Sequence, residues 1–549
     1  MTRSVALCLL GTGPAPVWKH GEVVRIAPVE PAVVQATTAA ILGAAAEAVL
    51  FWDPVLGEPD PECATALLEQ TGDVWHAGLR LGTGGQPGII DFIHPVWMHN
   101  RDPVSNIEAT SWRLSLRACL VRTEVLRQLG GPCGAFRSLN MAGLELGHRY
   151  LRRGALVRHL PELVTSSAIL PPLSISTEDE LRFALYRFGR KWTRWAVGRA
   201  LLTGYRPRVE WLAAWRQVRH EERPEDVHPF RRSEQEVFPP SDARVTVLIP
   251  TMERYPYLHT VLHQLRTQTV RPHEVIVVDQ TPWSIRNLSY REQFSDLPLR
   301  VIERDKPGQC SARNAGLLAS EGDYVLFIDD DDEVGPDLIE RHLGNLERFG
   351  CEVSSGVADE AGTGPLPLDS LHVQASSVFP TNNTLIKKDV LRRSGLFDLA
   401  YDQGRNEDGD LGIRVYLAGA LMVLDPQISV FHHHAPHGGL RAHKARVITY
   451  ASSRQKLMHR NVPSVSEIYM SKRYFTERQV REALWMRVLG TFSLRGSRWK
   501  RLAKIVVSLV LLPDTLWKIY RRYKHTRVML RKYPQIPQLP SCSQEGKEK

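Results

Sequence analysis

The chain has 549 residues and carries a net charge of +10, with 43% hydrophobic and 24% charged residues. That is long enough for two or more domains, and the composition is that of an ordinary globular protein, not a collagenous or wholly disordered one. The seven cysteines are scattered, odd in number and without a CxxC pair. They argue for a reducing compartment and against a zinc site or a disulfide framework.

Taken in chain order, Val5-Ala-Leu-Cys-Leu-Leu10 is too short for a signal-peptide core and reads as a first strand. Residues 1–170 carry a damaged version of a plan that recurs later. Val49-Leu50-Phe51-Trp52-Asp53 matches Val325-Leu326-Phe327-Ile328-Asp329, and Val125-Leu126-Arg127 with Gly130 matches Val390-Leu391-Arg392 with Gly395. Leu146-Gly147-His148-Arg149 matches Leu411-Gly412-Ile413-Arg414, and Gly154-Ala155-Leu156 matches Gly419-Ala420-Leu421. Four matches in one order imply a duplicated domain; common strand-helix grammar is the alternative. In the first copy Pro54, Val55 and Leu56 stand opposite Asp330, Asp331 and Asp332. Thr37 stands opposite Arg313, Ala142 opposite Glu407 and Gly143 opposite Asp408. The segment that would hold a counterpart of Asp279 reads as absent, because Val23-Val24-Arg25 follows the first strand too soon.

Residues 171–240 read as a helical connector and a polar, Pro-containing linker (221–240). Thr177-Glu-Asp-Glu180 is a capping-box pattern. Residues 241–437 then alternate strands and helices. Strands are expected at Val245 to Ile249, Glu274 to Val278, Leu299 to Ile302 and Tyr324 to Ile328. Helices are expected at Tyr257 to Gln268, Ser311 to Ser320, Asp389 to Ser394 and Asp408 to Ala418. Unbroken apolar strands predict a parallel sheet covered on both faces.

Polar groups collect at the C-terminal ends of these strands, where open α/β sheets bind ligands. Pro250-Thr251-Met-Glu-Arg254 follows the first of them and Asp279 the second; Arg304-Asp305-Lys306 follows the third. Arg313-Asn314 lies in the first turns of a helix, a place suited to an anionic diphosphate. The fourth strand runs straight into Asp329-Asp330-Asp331-Asp332. Crowded carboxylates repel unless a cation or donors compensate, and Mg²⁺ or Mn²⁺ with substrate phosphates fits that chemistry. Asp332 is expected only to cap the segment after it. Asn406-Glu407-Asp408-Gly409-Asp410 opens a helix, where acids suit the dipole but one can also act as a general base. His432-His433-His434 and His437 follow a strand ending near Val430, and in an extended run His432 and His434 share a face. They point to metal ligation or diphosphate contact.

Together VTVLIPTMER, EVIVVDQTP, KPGQCSARNAG, YVLFIDDDDEVGPD and NEDGDL resemble the family 2 glycosyltransferases, over about residues 243–435. The resemblance implies a GT-A fold (α/β, Rossmann-like, mostly parallel sheet) for the catalytic domain, a degenerate GT-A-like domain before it and a helical region after it. It implies inverting, metal-dependent transfer of a sugar from a nucleotide-sugar donor to a hydroxyl of a glycan or lipid-linked acceptor. It assigns Thr251, Arg254 and Asp279 to the nucleotide and Arg313 to the diphosphate. Asp329 opens the DxD motif, Asp330 faces the ribose, and Asp331 binds the metal with His432 or His434. Asp408 is the base, and Glu407 beside it is placed with Asp329 and the others among the nucleotide-sugar-binding residues. The chain departs from the family at Gln280-Thr281-Pro282, where a second acid and Gly-Ser are usual. A non-catalytic GT-A-like scaffold and a nucleotidyltransferase are the alternatives. The latter lacks its Gly-rich, cationic loop after the first strand.

Residues 438–549 read as helical and basic, ending in a disordered Pro/Ser/Lys-rich tail. From Thr491 onward there are fourteen Lys and Arg against three Asp and Glu, so the rest of the chain is close to neutral. Trp499, Trp517, Tyr520 and Tyr523 interleave with these cations. The segment suits either an anionic membrane surface or packing on the catalytic domain with a solvated basic face. No nucleic-acid module accompanies it. The apolar run Ile505 to Leu512 is too short to span a bilayer. The expected location is cytoplasmic, peripheral to the inner face of the membrane if the tail docks there.

Overall fold

The computed structural model describes all residues except 1–2, 44–45, 86–99, 166–172, 174, 204–205, 226–227, 233–241, 361–370, 440–456, 493–496 and 541–549. Two sheets organise the chain. The first is built from β1 (Val5–Leu10), β2 (Val23–Ile26), β3 (Ala48–Trp52), β4 (Val74–His76), β5 (Ala109–Thr110), β6 (Ala118–Arg122) and β7 (Val157–His159). Their order across the sheet is β2-β1-β3-β6-β4-β7-β5. Helices α1 (Pro31–Ile41), α2 (Pro61–Leu67), α3 (Thr123–Leu129) and α4 (Leu139–Arg152) connect them. Helices α5 (Thr177–Thr203) and α6 (Arg208–Val218) follow, α5 being broken at Gly189, whose φ is 78°. Ser176, not Thr177, caps α5: its hydroxyl accepts from Asp179 N at 3.1 Å. The capping-box reading is thus one residue out, because Thr177 is already helical and its hydroxyl donates to Glu210.

The second sheet holds β8 (Val245–Thr251), β9 (Glu274–Asp279), β10 (Leu299–Glu303), β11 (Tyr324–Phe327), β12 (Asp332–Val334), β13 (Val353–Glu360), β14 (Gln374–Ala375), β15 (Thr384–Lys387) and β16 (Met422–His432). Its order is β10-β9-β8-β11-β15-β13-β16-β12, with β14 also on β16. Helices α7 (Tyr255–Arg266), α8 (Tyr290–Gln293), α9 (Gln309–Ala319), α10 (Leu338–Phe349), α11 (Lys388–Ser394) and α12 (Glu407–Leu417) accompany it. From β10 to β11 every pairing is parallel. Beyond β11 the sheet is mixed, since β15 runs antiparallel to both neighbours while β13 and β16 pair parallel. Strand alternation divides the core. Val245, Val247 and Ile249 meet α7 and α10 on one face, while Leu248, Ile276 and Val278 meet α9, α11 and α12 on the other.

The first sheet follows the second strand for strand: β2, β1, β3, β6, β4, β7 and β5 occupy the order of β9, β8, β11, β15, β13, β16 and β14. β2 pairs parallel with β1 as β9 does with β8. The strand that reads as absent in the sequence is therefore present; what is missing is a helix between it and β1. Carrying the register one residue further puts Ala27 where Asp279 stands. The Gly signals coincide in conformation as well, φ being 75° at Gly130 and 81° at Gly395, and 91° at Gly154 and 85° at Gly419.

One buried network recurs in both sheets. Arg149 donates to Glu145 at 3.0 Å and to the carbonyls of Leu129 and Gly130. Arg414 donates to Asp410 at 2.9 Å and to the carbonyls of Ser394 and Gly395. In each case a helix-borne arginine ties down the C-terminal end of the preceding short helix, whose last carbonyls would otherwise be unsatisfied.

The two sheets are packed together. Arg232, within the polar linker, pairs with Asp73, and Asp73 accepts from Leu156 N. Ala375 of β14 joins the first core and Leu156 joins the second. Helices α13 (Val465–Tyr474), α14 (Glu477–Gly490), α15 (Arg498–Val510) and α16 (Leu512–Lys532) complete the chain. No helix among the described residues is long and apolar enough to cross a membrane. As far as Pro540 the expected disordered tail is instead packed: Leu396 N donates to Pro537 O at 2.8 Å and Leu539 is buried in the second core. The proline-stiffened segment lies extended along the end of α11, where its carbonyl has a donor to meet.

The network at Arg414 gives a stability test. Arg414→Ala leaves Asp410 buried without its cation, so urea unfolding should show a loss of about 3–5 kcal/mol.

Candidate active site

A cleft with a cavity volume of about 480 Å³ opens at the C-terminal ends of β8 and β11. Thr251, Arg254, Arg313, Asp329, Asp330, Glu407, Asp408 and His432 all line it. Residues from 251 to 432 therefore converge because parallel strands deliver their ends to one edge.

The four aspartates divide by partner. Asp330 is buried; it accepts from Thr251 Oγ1 at 2.8 Å and from Arg254 Nη1 at 3.0 Å. Burial raises its pKa, against the pull of Arg254. Asp331 accepts from Ala435 N at 2.7 Å and lies 3.1 Å from Arg254 Nη1. Asp329 is bonded to Arg313 Nη2 at 2.9 Å. Asp332 begins β12, not a helix, and so caps nothing downstream. It accepts from Asp329 N at 2.9 Å and meets His432 Nδ1 at 2.7 Å. Burial alone would lower the His432 pKa, but the bond to Asp332 and the neighbouring carboxylates raise it.

Ligand atoms of Asp329, Asp331 and His432 lie within 4.8 Å of one another, a group that could hold a metal ion. Carboxylate oxygens suit Mg²⁺ and Mn²⁺, and an imidazole extends the set to other divalent metals. A ligating histidine characteristically gives its other ring nitrogen to a carboxylate, as His432 does to Asp332. His434 stands beside His432, ring centroids 4.3 Å apart, but outside this group; its Nε2 is 2.9 Å from Glu360. The chain leaves the extended run there, with φ 52° at His434.

Glu407 and Asp408 differ although adjacent. Asp408 is exposed at the start of α12 and lines the cleft. Glu407 is turned inward, 3.9 Å from Arg313 Nη1. Burial, with the charge of Asp408, raises its pKa. Asp279 is fully buried and does not line the cleft; Tyr255, Tyr290 and the Thr281 amide donate to it. Gln280 takes the wall position beside it. The N-terminus of α9 is not open to a diphosphate as expected. The amides of Gly308, Gln309 and Ser311 donate to Gln280, the Asp402 carbonyl and the Asp402 carboxylate. Asn314 is bonded to the Phe397 backbone, and Arg304 and Lys306 do not line the cleft.

Sequence reasoning passed over Asp402, which clamps α9 from a loop about 90 residues later, and Gly438-Gly439. A Cβ at Gly439 would stand 2.7 Å from Arg254 Nη2. The Gly-Gly pair was the available signal. The described non-glycine residues with positive φ are Glu253, Asn406 and His434. Each adjoins or belongs to this site, a common location for stored backbone strain.

In the first sheet Asp53 is bound by Arg117 at 2.8 Å and accepts from Val55 N. Gly143 packs against residues 114–116, and a Cβ there would stand 3.0 Å from Leu114 O. A side chain at that position would need the 114–116 backbone to give by a few tenths of an ångström.

Residues 246–395 match the family described as Glycosyl transferase family 2. This part of the chain, from β8 to α11, is similar to the family 2 glycosyltransferases. The Uncharacterized glycosyltransferase YwdF of Bacillus subtilis (strain 168) is 32% identical over 105 residues, 19% of this chain and 38% of that protein. The chain thus spans well under half of that relative. The Amylovoran biosynthesis glycosyltransferase AmsB of Erwinia amylovora is 25% identical over 233 residues, 38% of this chain and 76% of AmsB. Among solved structures, S. aureus TarS 1-349 in complex with UDP-GlcNAc shares 15% identity at a TM-score of 0.35. That match covers 53% of this chain and 92% of its own.

Asn406, at φ 76°, offers a test of the site's backbone. Asn406→Gly should leave stability within a few tenths of a kcal/mol, whereas Asn406→Val should cost about 1–3 kcal/mol in urea unfolding.

Proposed function

We propose that this protein is an inverting glycosyltransferase. It moves a sugar from a nucleotide-sugar donor to a hydroxyl of a glycan or lipid-linked acceptor in cell-surface polysaccharide or glycoconjugate synthesis. The observation that carries the reading is one cleft holding an exposed carboxylate, Asp408, together with the Asp329-Asp331-His432 group. Arg313 links the two, bonded to Asp329 and close to Glu407. The relative AmsB, named for amylovoran biosynthesis, supports the acceptor class.

Asp408 takes the proton from the acceptor hydroxyl as its oxygen bonds to the anomeric carbon. The bond from that carbon to the diphosphate oxygen breaks, and its electron pair leaves with the diphosphate. Arg313 is fixed in place to stabilise the charge that develops there. Thr251 and Arg254 orient Asp330 toward the ribose. Asp279 acts from beneath the wall, aligning Tyr255 and Tyr290, with Gln280 facing the base. Asp329, Asp331 and His432 would hold Mg²⁺ or Mn²⁺, which would neutralise the leaving diphosphate. Glu407 keeps Arg313 oriented. The first sheet is read as a non-catalytic GT-A-like copy, since Val55, Gly143 and Ala27 replace the acids.

Three measurements test this. Asp408→Asn should lower kcat by roughly 10²–10⁴-fold while donor binding persists; a retained rate would remove Asp408 from the reaction. Thermal shift with nucleotide-sugars should need Mn²⁺ or Mg²⁺, be reversed by EDTA and be lost in Asp331→Ala. Asp332→Asn, which loosens the His432 ring, should weaken Mn²⁺ binding about 10–100-fold in titration calorimetry. A chain that bound no nucleotide-sugar under any of these conditions would be a scaffold.

A further inference from the structure

Helices α15 and α16, joined end to end through Leu511, present an apolar side outward. On α15, Trp499, Leu502, Val506, Leu509 and Val510 are all exposed, Trp499 at 80% and Val510 at 73%. At 3.6 residues per turn these five fall within an arc of roughly 100°. The opposite side of the helix is the one that packs inward, and it is polar. Lys504 and Ser508 are buried there, with Lys504 Nζ donating to the carbonyls of Leu457 and His459 at 3.0 and 2.5 Å. A helix that buries its lysine and exposes its tryptophan is inverted for a water-facing surface.

The charge around this face shows what it fits. Arg498 and Lys500, both exposed, border the arc on either side. On α16, Leu516, Trp517 and Tyr520 are exposed near the junction with α15, and Lys524, Arg527 and Arg531 continue the same side of the helix. From Arg498 to Lys532 eleven Lys and Arg meet one acid, Asp514, which is itself paired with Arg460 and Lys518. An apolar stripe bordered by cations, with aromatics at its edge, matches the acyl–headgroup boundary of an anionic bilayer. A second copy of the chain would bring a second cationic border against the first.

We infer that the outward face of α15 and the adjoining face of α16 form a docking surface for an anionic membrane, with the apolar stripe inserted among the lipids and the flanking cations on the headgroups. Docking needs no rearrangement of α15, because Lys504 already anchors its inner side. It is independent of the reaction assigned to the cleft.

The test is co-sedimentation of the full chain with vesicles of phosphatidylcholine, alone or with phosphatidylglycerol. Binding is expected only to the anionic vesicles, falling with salt. The double variant Trp499→Ser/Val506→Ser should lose at least about tenfold in partitioning. Lys524→Glu/Arg527→Glu should lose at least about tenfold, given roughly a factor of five per cation near such a surface. All four positions are exposed, so the thermal midpoint should stay unchanged. Absence of binding at millimolar anionic lipid overturns the inference, as does binding that the Trp499→Ser/Val506→Ser change leaves intact. A dimer in light scattering that this variant dissociates, without vesicle binding, would assign the face to a second copy and equally overturn it.

Discussion

Four carboxylates at the end of β11 set the terms for everything around them. Like charges this close, three of them shielded from water, raise one another's energy unless each is answered. The structure answers them one at a time. Arg254 serves Asp330 and Asp331, Arg313 serves Asp329, and His432 serves Asp332. Each answering group comes from a different element, so the cluster ties the start of α7, α9 and β16 to the tip of β11. Ligand atoms of Asp329, Asp331 and His432 also converge to within 4.8 Å of one another, a group that could hold a metal ion.

The duplicated plan separates architecture from chemistry. Arg149 with Glu145 and Arg414 with Asp410 brace the same joint in the two sheets, and the glycines around them share their backbone angles. These features survive in both because they satisfy buried carbonyls and turns that either sheet must make. Of the aligned strand-end acids the first sheet keeps Asp53, bound by Arg117, while the counterparts of Asp279, Asp330 and Asp331 are Ala27, Pro54 and Val55. Where the first sheet has Gly143, the backbone of residues 114–116 has closed onto the helix. Loss of the side chain and loss of the space for it belong together physically.

Much of the fold was legible because burial writes itself into local sequence. Unbroken apolar runs marked β8, β9, β10 and β11 within a residue or two, though not β12 to β15, and the helical spacing of Leu258, Val261, Leu262 and Leu265 marked α7. The short β2 was misread because a four-residue edge strand with one buried side chain has almost no pattern. The segment of α15 and α16 was legible as basic and aromatic. Which side of it faced out was not, because that depends on what Lys504 meets.

Of the site, the sequence by itself determined which groups gather at the sheet edge: Thr251, Arg254, Arg313, Asp329 to Asp331, Glu407, Asp408 and His432. Strand ends in a parallel sheet point one way, so residues placed just after apolar runs must arrive together. Only the tertiary structure decided their partners. Asp332 turned to a histidine 100 residues away, Asp402 took the amides of α9, Asp279 sank beneath two tyrosines, and His434 went to Glu360. A hydrogen bond is settled within a few tenths of an ångström by the packing of distant elements, and no local pattern carries that information.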